Sequence, residues 1–340
     1  MADEPADTMR GRGSDSRVRL WILLDANRGV LVVAMAAVLF AVLVVLGTLD
    51  ATPLRATMRG TDPTDTVFQA LITSIITGVT LVVTINQLVL SAELGPLGTQ
   101  RSRMSSSMGF RADTDDLFGD VSPPDPAAFL SALVATSADR AETLRERTLS
   151  SDDPELRNAV EEYTDNLVDH ARTVTDQLDG VEFGTYDVLE AALNYNYSWK
   201  IFRVRQIRHD HMDDLSDEQR QAFDDLIRVL TFFGPAREHF KTLYFRWELV
   251  DLSRAMIYTS IPALGVSIVS LLFLDASSFP GATLGVDNVL LIVCLGVTAA
   301  VVPFLVLVAY ILRIATIAKR TLAIGPFILR ESERSGGSGD

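Results

Sequence analysis

The stretch Val67–Leu90, VFQALITSIITGVTLVVTINQLVL, decides how the rest of the chain is interpreted. It contains no charged side chain. At 1.5 Å per residue, a helix of this length crosses a hydrocarbon core of roughly 30 Å, so the segment predicts a transmembrane helix. Most of its residues are Ile, Leu and Val, but hydroxyl and carboxamide side chains recur along it. That recurrence is the first indication of function.

Ser74 and Asn86 aside, the polar side chains of this segment and Ser91 just beyond it fall on one face of the predicted helix. They are spaced three or four residues apart, which places all of them within an arc of about 80° at 100° per residue. The seven residues are Gln69, Thr73, Thr77, Thr80, Thr84, Gln87 and Ser91. We call this set the polar stripe.

Two hypotheses account for the polar stripe, and the sequence leaves both open. In the first, hydroxyl groups hold helices together, through contacts that contribute about 0.6 kcal/mol on average. In the second, the stripe lines a water-filled pathway, most simply a pore where copies of the helix meet on a symmetry axis. Gln69 and Gln87 favour water or a polar partner, because a carboxamide cannot satisfy itself in lipid.

Three further apolar segments are long enough to span a membrane. They are Val30–Leu49, Ala255–Leu274 and Val289–Leu312. The first also resembles a signal peptide, but its apolar run is too long and Leu49-Asp50-Ala51 is a poor cleavage site, so a retained span is predicted. The fold class is therefore expected to be all-α, a polytopic membrane protein with four transmembrane helices and a helical cytoplasmic domain between helices 2 and 3.

Positive charges near the ends of the spans predict the orientation. They precede the first and third spans and follow the second and fourth, whereas the opposite side has only Arg55 and Arg59. Both termini and the loop 91–254 are expected in the cytoplasm of a multi-pass protein of the cell membrane. Because the polar stripe is uncharged, any ion selectivity is expected to arise either from a narrow apolar ring or from charges at the cytoplasmic mouth of the pathway. The candidates there are Glu93, Arg101 and Arg103.

The negative charge is concentrated in the loop 91–254. The whole chain has a net charge of −14, and this loop holds 31 acidic and 18 basic side chains, a net charge of −13. The chain has 30 Asp and 27 Arg but only 3 Lys. Short carboxylates hold water and counterions, so this composition suits molar salt and predicts a halophilic archaeon as the source. The charge argues against nucleic acid as a partner.

Helix signals subdivide the loop. Asp125-Pro126 and Asp153-Pro154 predict the starts of two helices, and a third is expected from about Tyr186 to His209. A capping box of Ser216 and Gln219 starts a fourth, which is expected to stop at Gly234-Pro235. A fifth is expected to continue from residue 236 into the third span.

The predicted layout follows from these signals. Its segments are a disordered N-terminus at 1–16, an interfacial helix at 17–29, two transmembrane helices in 30–90, a linker at 91–126 rich in Gly, Ser, Pro and Asp, an acidic helical domain at 127–254, two further transmembrane helices in 255–318, and a cytoplasmic tail at 319–340.

Evidence for an enzyme is lacking in the sequence. Motifs of the forms GxxxxGK[ST], HExxH and GxSxG are absent, so neither catalysis nor a cofactor is predicted. Cys294 is the single cysteine, which excludes an intramolecular disulfide. His209 and His211 are weak candidates for metal ligands, and a solvated acidic turn explains them better.

The order of the elements resembles that of bestrophin-type anion channels, in which the second span lines a homopentameric pore. The resemblance is one of topology, and no residue pattern of that family is matched, so no residue roles follow from it. We expect a homo-oligomeric channel or pore-like protein that sits in the lipid bilayer, with the polar stripe lining a pathway for ions. The alternative is a non-conducting scaffold or signalling adaptor that recruits a cytoplasmic protein partner through its acidic helical domain.

Overall fold

The computed structural model describes residues 21–60, 63–181 and 186–321. Nearly all of these residues lie in helices. The elements are a π-helical turn at Trp21–Asp25, α1 Arg28–Leu49, α2 Leu54–Gly60, α3 Pro63–Glu93, α4 Leu97–Phe118, α5 Pro126–Thr148, α6 Pro154–Leu178, α7 Tyr186–Asn194, α8 Tyr197–Asp210, α9 Asp217–Phe273, β1 Ala282–Thr283, β2 Val286–Asp287 and α10 Asn288–Thr321. The two strands form one short antiparallel hairpin.

Four helices are long and apolar enough to cross a membrane, and they match the four predicted spans, although the third ends at Phe273, one residue before its predicted end. They are α1, α3, the second part of α9, and α10. The chain divides into two compact units. We call Val18–Leu94 with Arg246–Thr316 the span unit, and the unit that contains Gly95–Phe245 the bundle unit. The predicted all-helical fold class is confirmed at this level.

The bundle unit has a continuous apolar core. Helices α5 and α6 pack along each other and bury faces spaced at three and four residues, as the sequence predicts. Asp125 and Asp153 cap the two helices by accepting backbone N–H bonds, and Ser216 and Gln219 bond reciprocally at the start of α9. Each cap satisfies N–H groups that a helix start would otherwise leave unpaired.

The linker predicted at 91–126 is wrong for most of its length, because 97–118 form helix α4. Gly and Ser suggested irregular structure, but contacts at the far end of the helix hold it. Arg111 donates to the carbonyl oxygens of Ser122 and Pro123, and Asp115 accepts the backbone N–H of Ser122. The bundle unit consequently begins near Gly95 rather than at 127.

The single helix predicted from Tyr186 to His209 is in fact two helices, α7 and α8, which meet at Tyr195 and Asn196. The side chain of Tyr195 is fully buried, and its hydroxyl lies 2.5 Å from that of Ser137. Burial raises the pKa of Tyr195, and the hydrogen bond to Ser137 lowers it. Burial has the larger effect, so the pKa is raised. Turning this ring into the core interrupts the helix.

The helix end predicted at Gly234-Pro235 is also wrong, because α9 runs through both residues. A proline disfavours helical structure partly through a clash with the Cβ of the residue before it, and glycine has no Cβ. A Cβ at Gly234 would also lie 3.1 Å from the ring of Tyr197, so this ring packs closely against the glycine. The predicted continuation of the helix into the third span is confirmed.

In the span unit, α10 is the most enclosed of the four long helices and α1 the least. Close contact is possible where side chains are small. At Gly47 of α1, a Cβ would lie only 2.5 Å from the side chain of Leu290 on α10. Packing between these spans therefore depends on the absence of a side chain at this position.

The predicted interfacial helix at 17–29 is described only from Trp21 onward. Its described part is the single turn Trp21–Asp25, in which Trp21 is exposed, and α1 begins at Arg28. Asn27 caps α1 by accepting from two backbone N–H groups. The predicted N-terminal segment 1–16 and the tail beyond 321 lie outside the described residues.

Candidate functional site

All seven side chains of the polar stripe are exposed in the structure. Helix α3 instead packs against its own unit through a different face, whose buried apolar residues are Phe68, Ile75 and Val82. At 100° per residue, the mean direction of these three lies about 150° from that of the stripe. The polar stripe therefore points away from the packed side of its helix.

The hydroxyl groups of the stripe bond within α3. Each donates to the carbonyl oxygen four residues earlier, over distances from 2.7 to 3.1 Å. The donors are Thr73, Thr77, Thr80, Thr84 and Ser91. Bonds of this kind satisfy the hydroxyl proton without a second helix. The stripe is therefore not used here to join α3 to the other spans of the same chain.

Gln69 and Gln87 occupy the same uncovered face. A carboxamide has two donors and an acceptor, and it has no equivalent of the bond that a threonine makes to its own helix. If this face were surrounded by lipid, both groups would lose hydrogen bonds at a cost of several kcal/mol. The chemistry of the face fits water or another polar surface.

The predicted residues of the cytoplasmic mouth lie just beyond the stripe in the chain. Glu93 is the last residue of α3, and its side chain is outside the described set. Arg101 and Arg103 follow on α4, where both are exposed. They sit on a regular helix, whereas the sequence suggested a loop.

The two weak metal candidates have separate environments. His209 is exposed, whereas Nδ1 of His211 lies 2.7 Å from a carboxylate oxygen of Asp153. The described ranges contain no cluster of three His, Cys, Asp or Glu side chains suited to a metal ion. His211 thus contacts the cap of α6, and the structure offers it a role in linking the end of α8 to the start of α6.

The acid stability of the bundle unit should depend on Asp153. Burial raises the pKa of this carboxyl, but the N–H groups of Leu156 and Glu155 and the ring of His211 outweigh burial and lower it below its ordinary value of 3.8. A lowered pKa in the folded state contributes stability above the unfolded pKa, and this contribution is lost as the pH falls through the folded pKa.

Asp153→Asn keeps a capping oxygen but cannot titrate. We expect the wild-type protein to lose more of its thermal stability than the variant between about pH 5 and pH 3. Thermal unfolding of both proteins followed by circular dichroism measures the difference. Parallel pH profiles would contradict the role given to Asp153.

A polar cluster that the sequence did not reveal centres on Arg55 of α2. Its guanidinium donates to the carboxylate of Asp287 at 2.7 Å and to the carbonyl oxygens of Ala276, Ser278 and Phe279 at 2.6 to 3.0 Å. The bond from Arg55 lowers the pKa of Asp287. One side chain therefore joins the connection between the first two spans to that between the last two.

Arg55 also holds strained backbone. Phe279 has φ of 46°, a conformation that L-residues with a bulky side chain rarely adopt, and its carbonyl oxygen accepts from Nη2 of Arg55. The hairpin that follows turns at Leu284 and Gly285, both with positive φ, as a tight two-residue turn requires. The fork of the guanidinium suits this cluster of carbonyl oxygens and a carboxylate.

We expect Arg55→Lys to destabilise the span unit by about 2 kcal/mol, because an ammonium group cannot reproduce the fork of donors. Chemical unfolding of the detergent-solubilised protein measures this loss. Arg59 is the matched control, since it is exposed on the same helix. Arg59→Lys should change stability by less than about 0.5 kcal/mol. Equal effects of the two variants would contradict the role of Arg55.

A second cluster missed by the sequence joins three spans at their other end. Arg28 of α1 pairs with Glu248 of α9, 220 positions away in the chain. The guanidinium also stacks 4.1 Å from the ring centroid of Tyr310 on α10. Next to it, Arg313 donates to the carbonyl oxygen of Ala26 at 3.1 Å. Local sequence patterns give no signal for a pair whose members lie 220 positions apart.

Comparison with known proteins adds a family but no function. No curated protein and no solved structure matches the chain. One family model matches residues 1–338, nearly the full length. The chain therefore belongs to a family of unknown function, DUF7972.

Proposed function

We propose that the protein is a homo-oligomeric membrane channel, rather than an enzyme, in which the polar stripe of α3 lines the pathway. The observation that carries the proposal is the exposure of all seven stripe side chains on the unpacked side of a helix apolar enough to span a membrane. A polar face that lies within the membrane and is not covered by another helix needs water or a polar neighbour. Copies of α3 around a symmetry axis supply a water-filled space.

The flanks of α3 support the same arrangement. Leu81, Ile85 and Leu88 are exposed apolar residues outside the stripe, and they suit lipid or the sides of neighbouring helices. A helix at the border of a pore can place its polar face against water and its apolar flanks against lipid or neighbouring helices. The wall is uncharged, so the proposed cargo is ions or small polar solutes that pass in hydrated form.

The proposed placement is a multi-pass protein of the cell membrane. Both termini and residues 91–254 lie in the cytoplasm, because Arg and Lys at the span ends are concentrated on that side. The mouth of the pathway on this side then carries Glu93, Arg101 and Arg103. These residues are the proposed origin of any charge selectivity.

Thiol labelling distinguishes a water-filled pathway from a dry one. Cys294 is buried in α10, and its replacement by Ala gives a background without cysteine. Single cysteines are then introduced by Thr80→Cys and Thr84→Cys in the stripe. The reagent is a charged, membrane-impermeant methanethiosulfonate, which reacts with the thiolate and therefore requires water.

The matched controls are Leu81→Cys and Ile85→Cys, because each lies next to a stripe position at nearly the same depth. We expect the two stripe cysteines to react at least about ten-fold faster than the two controls. Equal and slow reaction at all four positions would overturn the pathway. In that case a non-conducting scaffold or adaptor, which recruits a partner through its acidic helical domain, becomes the better account.

A further inference from the structure

The connection between α9 and α10 lies at one end of the span unit. Helix α9 ends at Phe273 and α10 begins at Asn288, and both helices are long and apolar enough to cross a membrane. In a membrane, a short link between two consecutive spans stays at one surface of the bilayer. We call residues 274–287 the hairpin loop, because they contain the antiparallel pair β1 and β2.

Leu284 occupies the turn of the hairpin loop, and its side chain is 99% exposed. Its φ is 54°, a left-handed conformation that brings the Cβ of an L-residue too close to the following carbonyl oxygen. Gly, Asn and Asp adopt this conformation in a two-residue turn with less strain. Strained residues of this kind are concentrated at functional sites. An exposed, strained leucine therefore indicates a role outside the packing of its own chain.

The rest of the hairpin loop is held by hydrogen bonds, which fix the position of Leu284. The hydroxyl of Thr283, next to the turn, donates to the side-chain oxygen of Asn288 at 2.7 Å. The side-chain nitrogen of Asn288 donates to the carbonyl oxygen of Pro280 at 3.3 Å. Together with the bonds from Arg55, these contacts present Leu284 from an ordered framework.

Two connections meet at this end of the span unit, and they differ in charge. Residues 50–66 contain five charged side chains, whereas residues 276–286 contain none. Charged side chains make up 22% of the whole chain, so a surface loop of this length without any charge departs from the rest of the protein. Such a loop suits the bilayer interface, because it brings no charged group there that would lose hydration.

The exposed apolar surface at the end of α9 leads directly into the hairpin loop. Leu272 and Phe273 are exposed, and so is Phe279 within the loop. Leu284 precedes the first residue of α10 by only four positions. At about 3.4 Å per residue, its Cα lies within about 14 Å of that residue, so the loop is too short to carry the turn far from the bilayer.

We infer that the hairpin loop contacts the lipid bilayer through Leu284, whose side chain enters the interfacial layer beside the ends of α9 and α10. Removing this side chain from water is favourable and offsets the strain of its backbone. The contact holds at a fixed depth the end of the span unit that Arg55 ties together. The inference rests on the membrane placement in the proposed function and is independent of the pathway along the polar stripe.

Spin-label accessibility in liposomes tests this contact. In the background without cysteine, Leu284→Cys and, separately, Arg59→Cys are labelled with a methanethiosulfonate nitroxide. Arg59 is the matched control, because it is exposed on α2 at the same end of the span unit. The orientation of the protein in the liposomes therefore affects both labels equally. Electron paramagnetic resonance compares collisions of each label with oxygen, which is concentrated in lipid, and with a nickel chelate, which stays in water.

We expect the ratio of oxygen to nickel collisions to be at least about three-fold higher at position 284 than at position 59. Equal ratios would place Leu284 in water and overturn the inference. Few collisions of the label at 284 with either reagent would show that protein covers it, which also overturns the inference.

Flotation of the liposomes separates this inference from the proposed function. Failure of the protein to float with the liposomes would refute the membrane placement, and the lipid contact with it. Normal flotation with a high collision ratio at position 284 and slow labelling of the stripe cysteines would remove only the pathway. Fast stripe labelling with equal collision ratios would remove only the lipid contact.

Discussion

Replacing Thr80 and Thr84 together by Leu should reduce ion flux through liposomes that contain the protein by about ten-fold or more. Both hydroxyls lie on the uncovered face of α3, about one helical turn apart. In the proposed pore, each copy would contribute two isobutyl groups in place of two hydroxyls at the same depth. Apolar constrictions of this kind block conduction by excluding water.

Leu81 and Ile85 provide the matched variant for this experiment. Leu81→Ile with Ile85→Leu alters the same turn of α3 on its apolar flank and should leave flux within about two-fold of the parent protein. Size-exclusion chromatography of each variant checks that assembly is unchanged. Undiminished flux through the Thr80→Leu, Thr84→Leu protein would reject the stripe as the pathway wall. Absence of flux in the parent protein would reject the channel itself.

Replacing Arg28 by Met should destabilise the span unit by about 3–5 kcal/mol, the usual cost of leaving a buried charge without its partner. The side chains of Arg28 and Glu248 are only 17% and 7% exposed. The variant would remove the guanidinium both from the enclosed Glu248 carboxylate and from the ring of Tyr310. Unfolding by SDS titration in mixed micelles, followed by circular dichroism, measures the loss.

Removing the acid as well should restore most of the stability lost. Apolar side chains of similar size often replace a buried ion pair at little or no cost, so Arg28→Met with Glu248→Met should come within about 1–2 kcal/mol of the parent protein. The double variant therefore separates an uncompensated charge from a loss of packing. Equal instability of the single and double variants would indicate packing as the cause and contradict the ion-pair explanation.

Local patterns predicted a large part of this structure. The four spans, the caps at Asp125 and Asp153 and the capping box at Ser216 all depend on residues close together in the chain, where composition and spacing are sufficient. The predictions that failed concern segments in which contacts with the rest of the fold override the local preference for irregular structure or a helix end. Helix α4 is rich in Gly and Ser, and α9 passes through Gly234-Pro235.

The sequence predicted the candidate site only in part, because local patterns describe one helix at a time. Periodicity alone places the seven residues of the polar stripe on one face of a helix. It does not indicate whether that face is packed against other spans, because periodicity describes one helix without its neighbours. The partners of Arg55 and Arg28 could not be predicted from local patterns either, because they lie more than 200 positions away in the chain.

The sequence by itself determined that the chain is helical, that four segments can cross a membrane, and that one of these carries a polar stripe. These are properties of 3.6-residue periodicity and of transfer from water to lipid, and each requires only neighbours along the chain. Only the tertiary structure decided which face of α3 is covered, because burial depends on where Phe68, Ile75 and Val82 find their partners. That choice leaves the polar stripe uncovered, and the function proposed for the protein depends on it.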